Sequence, residues 1–373
     1  MRWFYVCPVC KNKDKKYLAI NEKGIYCRKC ILLSKSNYAS KNKYLNQSTI
    51  KANLKYQLSK AQLKASNQVL NYVKNNKSVI VNAVCGAGKT ELVYQSIEYM
   101  LNQNKIVAFA VPRRDVVIEI YNRLVKDYPN VDVSCVYGGN TSKVTGQLIV
   151  LTTHQLFRYK SYFDLLILDE ADAYPFYGNQ LLNEFLYQSI KGPIIYLSAT
   201  IKDSYLKQCK NIVLVNKRFH NHDIPIPKVI RYYFFNKIDT LKKIISLERK
   251  KPILIFVPTI SVGKKLSRIL NIPFVYSSYK HKQEYVDMFK ESKISILITT
   301  SILERGITLK NVQVIVYEAS HQLFDESSLI QIAGRVGRKI DAPTGNVYFL
   351  TNKKTTSINL CIKKLKQKNK AIV

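Results

Sequence analysis

The sequence predicts an α/β protein, two parallel-sheet domains in tandem behind a small four-cysteine module. Three observations predict it. Short apolar, β-rich runs alternate with helical patterns through most of the chain, the order expected of parallel strands covered by helices. The proline-bearing stretch HNHDIPIP at 220–227 breaks that alternation into two halves. Four of the eight cysteines fall in the first thirty residues, as two close pairs, and the others are scattered singly.

The elements follow in order. Residues 1–33 hold the cysteine pairs, and 34–54 are polar with no apolar period, the mark of a linker. A first α/β domain is expected over 55–217. Its strands are placed at 78–84, 106–111, 131–136, 148–151, 165–168 and 194–197, with helical patterns at 115–126 and 179–190. Residues 218–227 form the interdomain segment. A second domain over 228–373 has strands at 229–235, 253–257, 274–276, 294–299, 312–317 and 346–350, with helices at 238–247 and 261–270. The lysine-rich tail KKLKQKNK reads as a helix that frays, and the basic tail 353–370 as a whole as a solvated helix face or a surface for DNA or anionic lipid.

Composition bounds the function. At 373 residues the chain fits two domains, and 47% hydrophobic with 11% aromatic residues excludes wholesale disorder. No apolar run approaches the roughly 20 residues that span a bilayer. The N-terminus lacks the apolar core and small-residue cleavage site of a secretory signal, so a soluble intracellular protein is expected. Lys and Arg number 59 against 25 Asp and Glu, a net +34, of which 1–50 and 351–373 carry +9 and +7. Such an excess points to a polyanion, because each neutralised phosphate releases counterions. Lysines outnumber arginines 46 to 13, so solvated surface lysine is the competing account of the charge. The 26 tyrosines read as ordinary core and surface aromatics rather than as base-stacking groups. Trp3 is read as a cap on the small core of the cysteine module.

Four motifs carry chemistry. Cys7, Cys10, Cys27 and Cys30 stand as C-x2-C-x16-C-x2-C, a spacing that lets two knuckles close a tetrahedral thiolate site. Zn2+ suits four thiolates in a structural role, with iron as the competing occupant. Residues 83–90, AVCGAGKT, follow a strand and precede a helical pattern, and match a P-loop except that Ala83 replaces its first glycine. Gly86, Ala87 and Gly88 would let backbone N–H groups close on phosphates, Lys89 would reach the β- and γ-phosphates of ATP, and Thr90 would bind Mg2+. Cys85, inside this loop, reads as a small filler. Eighty residues after Lys89, an apolar strand ends in Asp169-Glu170-Ala171-Asp172, where Asp169 would hold Mg2+ and Glu170 would activate water. Near the C-terminus, QIAGRVGR at 331–338 spaces Arg335 and Arg338 three apart, suited to stabilising charge on the γ-phosphate. His220 and His222 read as solvated rather than metal-ligating.

Taken together these motifs resemble superfamily-two helicases and translocases, which implies two RecA-like domains with ATP between them. Further segments match in order. Gln62, in LSKAQ, resembles the adenine-reading glutamine. Ser198 and Thr200 of SAT resemble motif III, which couples nucleotide to nucleic acid. TTSILERGIT at 299–308 resembles motif V, with Gly306 near the nucleotide. The resemblance implies DNA-backbone contacts for Pro112, Arg113 and Arg114 (motif Ia), for Thr152, Thr153 and His154 (motif Ib), for Thr259 (motif IV), and for Thr299 and Thr300. DEAD-box RNA helicases usually carry histidine where Gln331 stands, and a P-T-R-E-L motif that is absent here. The cysteine knuckles, the D-E-A-D box, TTSILERGIT and QIAGRVGR together resemble the ComFA family, late-competence ATPases of Gram-positive bacteria. That resemblance implies an ATPase driving single-stranded DNA into the cytoplasm from the inner face of the cell membrane. It also implies a ComFC-like partner and an uptake channel, and leaves the choice between a monomer and a homo-oligomer open. A superfamily-two DNA or RNA helicase in replication restart or RNA remodelling is the alternative.

Overall fold

The computed structural model describes the chain except residues 1–4, 8–10, 23, 29, 31–38, 41, 47, 55–56, 173–175, 177, 200–208, 221, 301–309 and 371–373. The described residues form two compact units. One consists of residues 1–58, 63–82 and 90–214, the other of 59–62, 83–89 and 215–373.

The first unit opens with an antiparallel hairpin, β1 (Leu18–Asn21) and β2 (Gly24–Cys27), which had no counterpart among the expected strands. After helix α1 (Lys60–Lys74) come β3 (Val79–Ala83), α2 (Tyr94–Leu101), β4 (Val107–Val111), α3 (Arg114–Asp127), β5 (Val133–Val136), β6 (Leu148–Thr152), β7 (Leu165–Asp169), α4 (Gln180–Ser189), β8 (Ile194–Ser198) and β9 (Ile212–Val215). The sheet order is β5-β6-β4-β7-β8-β3-β9, and the strands from β5 to β3 pair in parallel. Strands β4, β6 and β8 are buried along their whole length, the state of a sheet covered on both faces, which is why their sequences are nearly unbroken apolar runs.

The residues expected to be a linker are tied to this unit. Ala39 donates its N–H to the carbonyl of Arg158 at 3.0 Å, and Tyr162 donates its hydroxyl to that of Ser40 at 3.1 Å. The backbone N–H groups of Asn46, Ile50 and Ala52 are held by the side chains of Asn104, Asn102 and Glu98. Polar residues here satisfy backbone groups on a packed surface rather than solvating a free tether.

The second unit carries β10 (Lys228–Arg231), α5 (Lys237–Glu248), β11 (Ile253–Phe256), α6 (Ile260–Leu270), β12 (Phe274–Val275), α7 (Lys282–Lys290), β13 (Ile296–Thr299), β14 (Gln313–Val316), α8 (Glu326–Ala333), β15 (Val347–Thr351) and α9 (Thr356–Lys370). Its six strands are all parallel, in the order β10-β15-β14-β11-β13-β12. Gly263 sits inside α6 because a methyl there would run into the Phe274 ring. Two expectations need correction. The strand expected over 229–235 ends at Arg231, and Phe234–Asn236 forms a 3-10 turn instead. The basic tail does not fray within the described residues: α9 runs to Lys370 and buries Ile358, Cys361 and Leu365. Asn369 fastens its last turn, accepting from the Ile224 N–H at 3.0 Å and donating to the Ile224 carbonyl at 2.9 Å. Among the described residues no helix is long and apolar enough to cross a membrane.

Candidate nucleotide site and cysteine centre

The phosphate-loop segment leaves the buried end of β3 and turns sharply. Gly86 and Gly88 hold φ of 85° and 75°, the left-handed region that a side chain disfavours. The helix after the loop starts as a 3-10 turn, Glu91–Val93, before α2, and Thr90 is buried at its start. Gln62, itself buried, donates its amide to the Ala87 carbonyl at 2.9 Å and accepts from the Ser59 N–H at 2.9 Å. Gln62 therefore braces the loop in addition to any contact with a base.

Arg218 was missed by the sequence reading. It is 2% exposed. Its guanidinium donates to the carbonyls of Cys85 (3.1 Å), Val336 (2.8 Å), Gly337 (2.7 Å) and Gly334 (3.3 Å), all in the second unit. Burial pushes its pKa down to about 10, which leaves it charged at neutral pH. No motif marks an isolated arginine, so only the fold reveals it. Arg335 is buried, and Arg338 is half-buried and donates to the Gly334 carbonyl at 3.0 Å. Burial would raise the Cys85 thiol, but the cations Lys89, Arg338, Lys368 and Arg218 outweigh it and hold the thiol below its usual range. This concentration of positive charge suits a polyphosphate. Cys85 is buried, consistent with a packing role. His220 was read as solvated; instead its Nε2–H donates to the Gly337 carbonyl at 2.9 Å, and its Nδ1 accepts from the His222 N–H at 3.2 Å.

In the first unit the D-E-A-D residues stand at the C-terminal end of β7. Glu170 has φ 54° and donates its N–H to Asp169 Oδ1 at 2.8 Å, a tight turn that sets both carboxylates at the strand's edge. Asp172 accepts the Ser198 hydroxyl at 2.7 Å in a buried bond, joining the box to the SAT segment. Thr200 and Gly306 lie outside the described residues, as does Cys10.

The residues expected at nucleic acid divide by exposure. Arg113 is half-buried at the N-cap of α3, and exposed Arg114 stacks over the Tyr137 ring at 4.7 Å; Pro112 is buried. Thr152 and Thr153 are buried at the end of β6, while His154 is exposed. Thr259 caps α6, accepting from the Val262 N–H at 3.2 Å. Thr299 is buried and donates its hydroxyl to the Thr300 carbonyl at 3.0 Å.

Cys7, Cys27 and Cys30 are buried with their sulfurs all within 4.8 Å of one another, and Cys7 and Cys30 are 3.4 Å apart. Three convergent thiols on two chain segments fit a thiolate-bound metal. They share one apolar cluster with Leu151, Tyr159, Tyr162 and Phe163 of the first unit, so the hairpin is continuous with that core rather than separate from it.

A DEAD/DEAH box helicase model matches residues 59–208, and a helicase conserved C-terminal domain model matches 236–339. Competence protein ComFA of Streptococcus pneumoniae is 37% identical over 395 residues, covering 98% of this chain and 90% of the relative. ComFA of Bacillus subtilis is 33% identical over 396 residues, covering 98% and 86%. The chain belongs to the ComFA family. As a ComFA-family member with both helicase domains it is a helicase-like ATPase connected with competence. Its fold matches S. cerevisiae Dbp5 bound to RNA and ADP BeF3 with a TM-score of 0.64 at 17% identity, covering 85% of this chain and 93% of that one. RecG bound to a three-way DNA junction gives 0.59 at 18% identity, covering 85% of this chain and 45% of that one. Both parallel-sheet units are therefore RecA-like.

Proposed function

We propose that this ATPase is a translocase on single-stranded DNA that drives transforming DNA across the cytoplasmic membrane. The observation that carries the nucleotide half is the preformed loop at Gly86 and Gly88, braced by Gln62 and set among cations. Lys89 and the loop amides take the phosphates, and Thr90 with Asp169 would hold Mg2+. Glu170 orients and deprotonates the attacking water, and Arg335 and Arg338 stabilise charge developing on the phosphoryl group. Gly306 of motif V would add a contact to the nucleotide. Ser198, Thr200 and Asp172 pass the nucleotide state to the DNA track. Membership among competence proteins and the net charge of +34 support DNA as the polyanion. Pro112, Arg113, Arg114, Thr152, Thr153, His154, Thr259, Thr299 and Thr300 mark its path, with phosphate contacts that read little sequence.

Cys7, Cys10, Cys27 and Cys30 hold structural Zn2+, which joins the hairpin and its flanking segments. In this reading residues 1–33, 55–217 and 228–373 act as zinc module and two motor domains. The protein works on the cytoplasmic side of the membrane beside the uptake channel, with a ComFC-like partner.

The test is ATP turnover at one fixed salt concentration without nucleic acid and with single-stranded DNA, duplex DNA or RNA. Activation by single-stranded DNA, abolished by Lys89→Ala and by Glu170→Gln, is the expected result. Activation by RNA alone overturns the DNA reading in favour of an RNA helicase.

A further inference from the structure

We infer that Tyr233 and Phe235 form a stacking platform for the bases of single-stranded nucleic acid, a contact separate from the phosphate-binding motifs. The inference rests on the DNA-translocase reading above. Most aromatic rings of the second unit lie in its core: Tyr232, Phe256, Tyr317 and Phe349 are all buried. Tyr233 and Phe235 are 70% and 84% exposed. Their rings are parallel within 9°, with centroids 6.0 Å apart. Two large rings held flat against water need a reason, since the chain could bury them or replace them with lysine at no loss to its core.

The turn that displays them is fixed. Tyr233 donates its N–H to Asn236 Oδ1 at 2.8 Å, and the Asn236 N–H returns to the Tyr233 carbonyl at 3.2 Å. Asn236 also accepts the Thr240 hydroxyl on its carbonyl at 2.8 Å, which locks the turn to α5. Tyr232, one residue earlier, is buried beneath the Lys237 ammonium, which also pairs with Glu318. The rings thus project from a turn whose backbone is tied by three hydrogen bonds, which lowers the ordering cost of a base that stacks on them.

Position and charge select the occupant. The turn follows β10, and all six strands of this sheet run parallel, so it lies on the sheet edge where Thr259 follows β11 and Thr300 follows β13. β10 is the outermost strand, three strands from β11 and four from β13, so the rings would meet bases of nucleotides further along a strand whose phosphates lie at Thr259 and Thr300. Exposed Arg231 stands two residues before Tyr233, and exposed Lys242 and Lys243 follow the turn on α5, within a chain of net +34. Every base has a π-face, so such a platform binds without regard to sequence.

The test is fluorescence anisotropy with oligothymidylate of about twenty nucleotides and an abasic strand of the same length, at one salt concentration. The wild-type protein is expected to bind oligothymidylate about tenfold more tightly than the abasic strand. The double variant Tyr233→Ala, Phe235→Ala is expected to lose that ratio while binding the abasic strand as before, and Phe235→Trp, which keeps a ring, to retain it. Unchanged circular dichroism and melting verify the fold of each variant. A double variant that keeps the wild-type ratio overturns the platform and leaves the DNA reading standing, as does equal wild-type affinity for both strands. A variant that binds both strands equally more weakly also overturns it. Failure of the wild-type protein to bind either strand removes the DNA reading and the platform together.

Discussion

Asp172 and Arg218 show what single side chains do here. The 2.7 Å bond from Ser198 to Asp172 lies in a buried setting where an unmet partner is costly. Asp172→Ala is expected to lower stability by about 1–3 kcal/mol. It should also reduce nucleic-acid-stimulated turnover more than unstimulated turnover; equal loss of both rates would make the bond purely structural. Arg218 supplies donors to the phosphate-loop carbonyl of Cys85 and to three carbonyls of the arginine segment. Lysine cannot reproduce that planar fork. Arg218→Lys is therefore expected to raise the KM for ATP several-fold, and Arg218→Ala to cost at least about 2 kcal/mol in thermal unfolding as well. An unchanged KM in both would separate Arg218 from the nucleotide.

At the scale of elements, α9 and the cysteine hairpin each turn a tail-like sequence into packed structure. The helix α9 buries Leu365 completely, so Leu365→Ala should cost about 2–5 kcal/mol, read as a lower melting temperature of the second unit. Loss of the helix signal for α9 without any change in melting would show that it folds independently. The hairpin's cysteines share their apolar cluster with the first sheet. Metal removal by a chelator, or Cys27→Ser, should therefore lower the melting temperature of the whole first unit, not merely release a separate finger. Metal analysis of the purified protein checks occupancy alongside. Within the second unit, β10 ends at Arg231: Tyr232 still donates its N–H to the Thr351 carbonyl of β15 at 3.1 Å, and the chain leaves the sheet where Tyr233 turns to Asn236 instead.

For the molecule as a whole, pH sensitivity on the alkaline side follows from buried acids that are neutral at pH 7. Burial pushes the Cys361 thiol from 9.0 up to about 12, and burial with a hydrogen bond to Glu248 pushes the Tyr348 phenol from 10.0 up to about 12. In each case the unfolded chain releases its proton first. The stabilisation is whole below the unfolded value and is lost as pH rises toward the folded one. Melting temperature is expected to fall progressively from about pH 9 to about pH 12, with phenolate absorbance rising together with unfolding. Ionisation of Tyr348 well before unfolding would refute it. The excess of basic charge adds a salt dependence: DNA affinity should drop steeply with ionic strength.

What the sequence determined by itself is the set of local chemistries and the order in which they occur. Gly86, Gly88 and Lys89 after an apolar strand, Asp169 and Glu170 at the end of another, and the short apolar runs and helical patterns between them follow from neighbours a few residues apart. Local steric and hydrogen-bonding rules are strong enough to be legible in such stretches. The tertiary structure alone decided the matters that depend on distant partners. Residues 39–54 look like tether until their backbone groups meet Asn102, Asn104 and Glu98, and the basic tail looks loose until Ile224 meets Asn369. Arg218 carries no signal of its own, because its role arises from carbonyls more than a hundred residues away. Burial by the rest of the chain leaves Tyr233, beside Phe235, 70% exposed on its turn. Hydrophobic burial is a property of the assembled fold, so which ring is left in water is written nowhere in the local sequence.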